Sequence, residues 1–377
     1  MAIIKKIVFL TGTRADFGKL KSLIAITSKN RRFEVHIFVT GMHMNPKYGR
    51  TVNEIEKCGY KNIFTYYNHM DYDSMDVVLS KTINGFSSFV KDIRPDLIVV
   101  HGDRVETLAG AIVGALNNIL TAHIEGGEVS GTIDELIRHS VSKLSHLHFV
   151  SNSIAKKRLI QMGELPKSIF EIGSPDIDIL LSSKLPSINE VKKYYEINYN
   201  SYGIVLFHPV VTEMEEIKNH ARNLADALIE SGRNYVVIYP NNDKGSDKIF
   251  DEYERLRESD KIRYLPSLRF EYFLTLLKNA EFIIGNSSSG IIEAPYYSTP
   301  SINIGTRQNN RVKNKDIIHC DYSKQEILDA IKKVVVAKNS KIKKLFGSGG
   351  SDKKFLKIVS GDQVWKISKQ KMFQDLI

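Results

Sequence analysis

Short apolar runs alternate with amphipathic stretches along most of the chain. Helical patterns extend, for example, from Phe17 to Ser28 and from Arg104 to Asn117. Between such stretches, the first half contains seven strand-like runs, near residues 5–11, 33–40, 62–66, 96–101, 119–124, 147–151 and 169–172. This alternation is typical of βαβ units and a parallel sheet. It predicts an α/β domain.

The pattern stops at Gly173-Ser174-Pro175, continues through a polar segment over 182–201 that resembles a linker, and restarts at Tyr202. Helices are predicted near 213–230, 270–279 and 324–337. Strands are predicted near 203–207, 234–239, 262–265, 281–285 and 301–304. The second half therefore predicts a smaller domain of the same class.

These patterns predict an α/β protein with two Rossmann-like, doubly wound domains facing a cleft, a GT-B-like architecture. A chain of 377 residues is also too long for one ordinary core. We expect an N-terminal domain over 1–180 and a C-terminal domain over 181–346. Gly347–Ser351 predicts a flexible joint, followed by a helical tail to residue 377.

Composition excludes several protein classes. The two cysteines, Cys58 and Cys320, form no CxxC pair, which argues against a disulfide framework or zinc site and fits a reducing cytoplasm. No apolar stretch reaches the roughly 18 residues of a membrane helix, and the apolar start predicts a first strand rather than a signal peptide. We therefore expect a cytoplasmic protein without membrane insertion.

The net charge of +10 is concentrated at the end of the chain. Residues 338–377 hold ten Lys and three Asp, which supply +7 of it. Such charge runs usually form solvated surfaces, so we interpret this one as a solvated helical tail. A nucleic-acid or membrane-surface role is the alternative. No nucleic-acid-binding motif accompanies the tail, so no nucleic-acid partner is expected.

Four polar turns directly follow predicted strands. They span residues 12–16, 101–104, 123–128 and 286–290. Ligands of open α/β sheets bind at the carboxyl ends of strands, so these turns predict one composite site. A GxGxxG fingerprint is absent after the first strand, which argues against a nicotinamide or flavin enzyme.

The first-domain turns allow both functional and structural interpretations. Arg14 and Lys19 could contact phosphate oxygens, or face solvent while Asp16 caps a helix. Asp103 could act in a site and cap a helix as well. Glu125, followed by two glycines, indicates a close approach of ligand to backbone. Asp134 could pair with Arg138 or act in the site, and Thr132 with Glu135 matches a capping box.

The second-domain turn predicts an anion site. Backbone N–H groups and serine hydroxyls of Asn286–Gly290 would lie at the start of a helix running toward Glu293. Glu293 could accept hydrogen bonds from a ribose. A simple helix cap is the alternative. His208, at a strand end, could contact a diphosphate or act as an acid.

Together these segments resemble the UDP-N-acetylglucosamine 2-epimerase family over almost the whole chain. The resemblance is carried by Gly12–Asp16, Glu125–Asp134, Gly285–Ser288 and Gly305–Gln308. It is closest to the hydrolysing branch, which forms N-acetylmannosamine and UDP for sialic acid and capsule polysaccharide biosynthesis. The non-hydrolysing branch usually has Glu-Ala-Gly-Leu-Arg where this chain has Glu125-Gly126-Gly127-Glu128.

The resemblance implies roles for particular residues. Asp103, Glu125, Asp134 and His208 match its catalytic residues. Contacts to UDP and the sugar are implied for Arg14, Asp16, Lys19, Ser287, Ser288, Ser289, Gly290, Glu293, Arg307 and Arg311. The sequence Gln308-Asn309-Asn310-Arg311 lacks the glycine that commonly precedes the arginine in relatives. No cofactor and no metal are implied, and relatives suggest a homodimer or homotetramer.

The implied reaction makes two physical demands. UDP leaves C1 while a proton leaves C2, and water then adds to the resulting glycal, so developing charge on the diphosphate needs cations. A carboxylate that donates a proton at neutral pH needs a raised pKa. We expect Asp103, Glu125 and Asp134 to form a mutually repelling cluster.

Other functions are less well supported by the sequence. A non-hydrolysing 2-epimerase would lack the Glu125–Glu128 run, and a GT-B glycosyltransferase would not explain three first-domain carboxylates. A non-catalytic nucleotide-sugar sensor would not need proton-transfer groups. A nucleic-acid binder would depend on the basic tail and show steep salt dependence.

Overall fold

The computed structural model describes residues 4–70, 73–130, 132–241, 243–309, 316–336 and 346–375. The chain folds into two compact units. The first comprises Met1–Glu128, Asp134–Leu181 and Phe346–Ile377, and the second Val129–Ile133 and Ser182–Leu345. Within the described ranges, no helix has both the length and the apolar character to cross a membrane.

The first unit is built on seven parallel strands. In chain order they are β1 (Lys5–Thr11), β2 (Phe33–Val39), β3 (Ile63–Thr65), β4 (Leu97–His101), β5 (Leu120–Ile124), β6 (Leu147–Val150) and β7 (Ile169–Glu171). The sheet order is β3-β2-β1-β4-β5-β6-β7. Ile7 of β1 pairs with Val35 on one side and Leu97 on the other. The strand order reverses at β1 and β4, where doubly wound sheets bind ligands.

Helices connect these strands and carry polar residues to one edge of the sheet. They are α1 (Arg14–Ser28), α2 (Val52–Glu56), α3 (Met75–Ile93), α4 (Val105–Leu116), α5 (Ile133–Leu144), α6 (Ser153–Gln161) and α7 (Asp176–Leu180). The first turn of α1 is fixed by reciprocal bonds. Thr13 Oγ1 accepts from the Asp16 N–H at 3.1 Å, and Asp16 Oδ2 accepts from the Gly12 N–H at 3.0 Å.

The second unit has six parallel strands in the order β10-β9-β8-β11-β12-β13. They are β8 (Gly203–Leu206), β9 (Tyr235–Ile238), β10 (Ile262–Leu265), β11 (Phe282–Gly285), β12 (Ser301–Ile304) and β13 (Ile317–Cys320). Its helices are α8 (Ile188–Tyr195), α9 (Ile217–Glu230), α10 (Ser246–Glu254), α11 (Phe270–Lys278) and α12 (Lys324–Val336). The predicted α/β class with two doubly wound sheets is confirmed. Strand β13 was not predicted, and α8 lies in the segment predicted to be a linker.

The last described segment belongs to the first unit. Helices α13 (Ser351–Val359) and α14 (Asp362–Trp365) follow the return of the chain from the second unit. Phe355 of α13 is fully buried, with its ring centroid 4.8 Å from that of Phe149 and 6.3 Å from that of Phe9. The C-terminal segment therefore completes the first core, although its charge run was interpreted as a solvated helical tail.

Candidate functional site

Four side chains meet at the carboxyl edge of the first sheet. Glu125 follows β5, His101 ends β4, and Asp16 and Lys19 lie on the first turns of α1. Lys19 Nζ lies 3.1 Å from Glu125 Oε2, and the side chains are only 11% and 5% exposed. The structure thus brings together three predicted residues, Asp16, Lys19 and Glu125, around a histidine to which the sequence assigned no role.

His101 lies between two carboxylates. Its Nδ1 lies 3.0 Å from Asp16 Oδ1, and its Nε2 lies 2.8 Å from Glu125 Oε2. Ionised carboxylates can accept hydrogen bonds but cannot donate them, so a ring between two of them is favourable when both nitrogens carry hydrogen. Burial opposes the charge, but Asp16 and Glu125 outweigh it and raise the pKa of His101 to about 9. The ring is therefore charged at neutral pH.

Glu125 is held in its ionised form. Burial would raise its pKa, but the charges of Lys19, His101 and Arg138 outweigh burial and hold the pKa well below its usual range. The expected mutually repelling cluster is therefore wrong for Glu125, because cations surround this carboxylate. Its backbone adopts φ = 68°, in the left-handed region that non-glycine residues rarely use. Such strain concentrates at functional sites.

Arg138 of α5 connects the predicted carboxylate Asp103 to Glu125. It is 2% exposed, its Nη1 donates to the carbonyl oxygen of Glu125 at 2.9 Å, and its Nη2 pairs with Asp103 Oδ2. Asp134 is buried one helical turn before Arg138. Arg104, not Asp103, is the N-cap residue of α4, so the carboxylate of Asp103 is directed to Arg138 instead.

The run after Glu125 is tightly enclosed. A Cβ atom on Gly126 would lie 2.8 Å from His123 Nδ1 and 2.9 Å from Ser142 Oγ. Gly127 has φ = 75°, and a Cβ there would lie 2.3 Å from the carbonyl oxygen of Ala155. These distances explain the two glycines, because a side chain at either position would displace its neighbours.

Glu128 ends this run as a buried acceptor. Its Oε1 accepts from Ser151 Oγ and, at 3.2 Å, from Asn152 Nδ2, and the residue is 2% exposed. An apolar side chain at position 128 would therefore leave the hydrogen-bond donors of Ser151 and Asn152 without this acceptor.

Asn286 organises the candidate site of the second unit. It follows β11 and is fully buried, and its side chain accepts from the His208 N–H at 2.7 Å and donates to the His208 carbonyl oxygen at 2.8 Å. Its own carbonyl oxygen accepts from Arg307 Nη1 at 3.3 Å and from Gln308 Nε2 at 3.0 Å. Two predicted residues, His208 and Arg307, are thus linked through Asn286.

The tautomer of His208 follows from its surroundings. Its Nδ1 accepts from the backbone N–H of Asn241 at 3.1 Å, which places the ring proton on Nε2. A neutral ring with an N–H on Nε2 can donate a hydrogen bond to a phosphate oxygen. Of the two roles considered for His208, this geometry favours contact with a diphosphate over acid catalysis.

The serine turn differs from the predicted helix start. Ser288–Gly290 and Ala294–Tyr297 are short 3-10 turns, and Pro295 at the start of the second lacks the N–H of a continuing helix. The expected α-helix from this turn toward Glu293 is therefore wrong, and the helix-dipole argument for an anion site is lost. The turn still exposes part of Ser287, Ser288 and Ser289, with Gly290 buried behind them. Glu293, at 2% exposed, is also buried.

A separate cluster supports the turn that carries Arg307. Glu213 accepts from Thr306 Oγ1 at 2.5 Å and from the Tyr322 hydroxyl at 2.6 Å. His220 stacks on the Tyr322 ring with 3.6 Å between centroids. Arg307 thus lies on a turn that these contacts stabilise. Arg311 lies outside the described residues.

Comparison with known proteins assigns the family. A family model described as UDP-N-acetylglucosamine 2-epimerase matches residues 25–360. The UDP-N-acetylglucosamine 2-epimerase of Neisseria meningitidis serogroup B is 48% identical over 375 residues, covering 99% of each chain. The chain belongs to the UDP-N-acetylglucosamine 2-epimerase family. The predicted resemblance is confirmed at this level, and UDP-N-acetylglucosamine 2-epimerase activity is supported.

Further relatives of this epimerase family share most of the chain. The polysialic acid biosynthesis protein P7 of Escherichia coli is 35% identical over 87% of this chain and 85% of its own. The hydrolysing UDP-N,N'-diacetylbacillosamine 2-epimerase of Legionella pneumophila is 33% identical over 92% and 93%. The UDP-GlcNAc 2-epimerase of Methanocaldococcus jannaschii, solved with UDP-GlcNAc and UDP, has a TM-score of 0.81 at 23% identity, covering 94% of this chain and 99% of that one. This last likeness supports the fold.

The candidate site contains groups whose partners sequence patterns did not reveal. His101 and Arg138 were visible in the motifs, but their charges depend on partners from other elements. Asp176 of α7 contacts Lys19 at 3.7 Å and follows a Gly-Ser-Pro segment interpreted only as a break. Among the residues that the structure describes, no three His, Cys, Asp or Glu side chains are grouped to hold a metal ion.

Proposed function

We propose that this protein is a hydrolysing UDP-N-acetylglucosamine 2-epimerase that releases UDP and N-acetylmannosamine. The observation that carries the proposal is the ionised Glu125, held between Lys19 and the His101 imidazolium at a sheet edge that also carries Asp103. Proton transfer at C2 needs a positioned acceptor and a nearby proton reserve, and this arrangement supplies both.

The proposed reaction has two balanced stages. In the first, the C2 proton passes to a base, its bonding electrons form the C1–C2 double bond, and UDP leaves with the C1–O electron pair. In the second, water adds its hydroxyl group to C1, and a proton is delivered to C2 from the opposite face. The sum converts UDP-N-acetylglucosamine and water to N-acetylmannosamine and UDP without oxidation.

We assign proton acceptance to Glu125, because an ionised carboxylate can take a proton but has none to give. The His101 imidazolium, which lies 2.8 Å away and is itself paired with Asp16, holds Glu125 ionised until it takes that proton. Asp103, which pairs with Arg138, and Asp134, one helical turn before Arg138 on α5, are the remaining candidates for returning the proton and for orienting water. Two faces of C2 need separate groups, which these separate elements provide.

The surroundings of the Glu125–Glu128 run support the hydrolysing branch. An alanine at position 126, as in the non-hydrolysing pattern, would force a Cβ to within 2.8 Å of His123 Nδ1. A leucine at 128 would remove the acceptor of Ser151 and Asn152. Relatives that are described as hydrolysing and are 33% and 35% identical also favour this branch.

We propose that the second unit binds the UDP group. Asn286 forms hydrogen bonds with His208 and Arg307. These two residues supply an N–H donor and a cation for the diphosphate. The turn Ser287–Gly290 and Glu293 provide hydroxyl groups and a carboxylate for the phosphate and ribose. Arg311 completes the proposed set. Stabilising the leaving diphosphate lowers the barrier of the first stage.

The product points to a biosynthetic role. N-acetylmannosamine is the starting sugar of sialic acid, and a relative described as a polysialic acid biosynthesis protein is 35% identical. We therefore propose a cytoplasmic enzyme at the first step of sialic acid and capsule polysaccharide biosynthesis, acting as a homodimer or homotetramer.

The fate of UDP tests the proposal. Phosphorus NMR of purified protein with UDP-N-acetylglucosamine should show the diphosphate of the sugar nucleotide replaced by that of free UDP. Glu125→Gln, which is nearly the same size, serves as the inactive control. A new UDP-linked sugar in place of free UDP would assign the non-hydrolysing reaction instead.

A further inference from the structure

Asp176 is a buried carboxylate with no evident structural task. It is the first residue of α7 and is 0% exposed. Neither of its oxygens has a hydrogen-bond partner in the described part of the chain. An unsatisfied buried carboxylate costs free energy, so its retention calls for a specific reason.

The polar group facing Asp176 is Lys19. Asp176 Oδ2 lies 3.7 Å from Lys19 Nζ, and the same ammonium group lies 3.1 and 3.4 Å from the two oxygens of Glu125. Lys19 is therefore shared between two carboxylates, one at the carboxyl edge of the sheet and one fully buried at the start of α7.

The neighbouring acid of the same helix has the structural role. Asp178 accepts from the backbone N–H groups of Ser351 at 3.0 Å and Asp352 at 2.9 Å. These are the first residues of α13, so Asp178 caps that helix. Two acids on one short helix thus have separate surroundings, and only Asp176 faces the candidate catalytic charges.

We propose that Asp176 is a positioning residue that competes with Glu125 for the Lys19 ammonium and thereby keeps Glu125 basic enough to accept the C2 proton. This inference rests on the proposed function. The charged groups around Glu125 are Lys19 from α1, His101 from β4 and Arg138 from α5, with Asp16 beyond His101. All three cations favour the ionised form and weaken it as a base. Asp176 is a negative charge that offsets them.

The matched variants Asp176→Asn and Asp178→Asn test this role, since both replace a carboxylate with an amide of equal size. We expect Asp176→Asn to lower kcat about tenfold with KM within about twofold of wild type. The acidic limb of its pH–rate profile should move to lower pH, because the pKa of the base Glu125 falls when the negative charge that offsets its neighbouring cations is lost. Asp178→Asn should lower the melting temperature but leave kcat and the acidic limb of the pH–rate profile unchanged.

Asp176→Glu separates the loss of the negative charge from a general failure to fold. It retains the charge, so it should recover most of the kcat that Asp176→Asn loses. Equal loss in Asp176→Glu and Asp176→Asn, or equal behaviour of the Asp176→Asn and Asp178→Asn variants, would overturn the inference. The wild type is assayed first for free UDP and N-acetylmannosamine, so failure of the proposed reaction is seen separately. A wild type without any turnover would overturn both.

Discussion

Nε2 of His101 lies 2.8 Å from Oε2 of Glu125, and the two side chains are 7% and 5% exposed. The pair places a positive charge and a negative charge in a nearly dry environment. The attraction between them is stronger there than in water, and the loss of either partner leaves the other with one compensating charge fewer. The charge state of the candidate site is therefore set by a few short contacts.

Replacing His101 tests the importance of that imidazolium for activity. His101→Gln removes the positive charge between Asp16 and Glu125, so these carboxylates repel each other and Glu125 loses a cation that holds it in place. We expect kcat to fall about 100-fold. His139→Gln is the control, because His139 forms a 3.5 Å pair with Glu135 in a more exposed position. Equal activity of both variants would contradict the assigned role.

The same histidine makes stability depend on pH. Its pKa is raised from 6.5 to about 9 in the folded protein, against burial, by Asp16 and Glu125. The contribution to stability is complete below pH 6.5 and is lost as pH rises to about 9. The shift corresponds to about 3 kcal/mol. Urea unfolding at several pH values should show a loss of that order in wild type between pH 6.5 and 9 relative to His101→Gln. Parallel curves would contradict the prediction.

Arg138 should be needed for its shape as well as its charge. Its guanidinium group reaches the Glu125 carbonyl oxygen and the Asp103 side chain at once. Arg138→Lys keeps the charge but cannot reproduce this fork, so we expect kcat to fall at least about tenfold. Arg158→Lys, at a residue that donates to the Gly127 carbonyl oxygen at 3.2 Å, is the control. Normal kinetics of Arg138→Lys would show that charge alone suffices.

The C-terminal segment should stabilise the first unit through Lys371. Its Nζ donates to the carbonyl oxygens of Lys143 at 2.8 Å and Ser145 at 2.7 Å, and lies 2.6 Å from Glu164 Oε2. A cation at the end of α5 also interacts favourably with the helix dipole. Lys371→Met should lower the free energy of unfolding by about 2 kcal/mol.

Lys369→Met is the matched control for that prediction, because the Lys369 side chain is exposed. Chemical unfolding gives the stabilities, and hydrogen exchange should locate the loss of protection in α5. Equal stability of the Lys369→Met and Lys371→Met variants would contradict a structural role for the tail.

The strands could be predicted because buried parallel strands are continuously apolar. Leu97–His101, for example, is buried along its whole length. Strand β13 has only four residues and one exposed position, so its pattern is weaker. The sequence also predicted a helix after Ser287, where the first short turn instead ends at Gly290 and Pro295 lies at the start of the second.

The candidate residues could be predicted from their positions at strand ends. The charged environment of each residue could not. Glu125 has the opposite of the expected environment, because Lys19 and His101 come from other elements. The lysine-rich tail suggested a solvated surface, yet Lys371 is partly buried at the end of α5. Such partners depend on packing between distant segments, which local patterns do not encode.

The most direct test of the account is the isotopic fate of C2. The protein is incubated with UDP-N-acetylglucosamine in D2O, and the products are analysed by proton NMR and mass spectrometry. The account predicts N-acetylmannosamine with one deuterium at C2, formed in equal amounts with free UDP. Retention of the original hydrogen at C2, or accumulation of a UDP-linked 2-epimer, would contradict it.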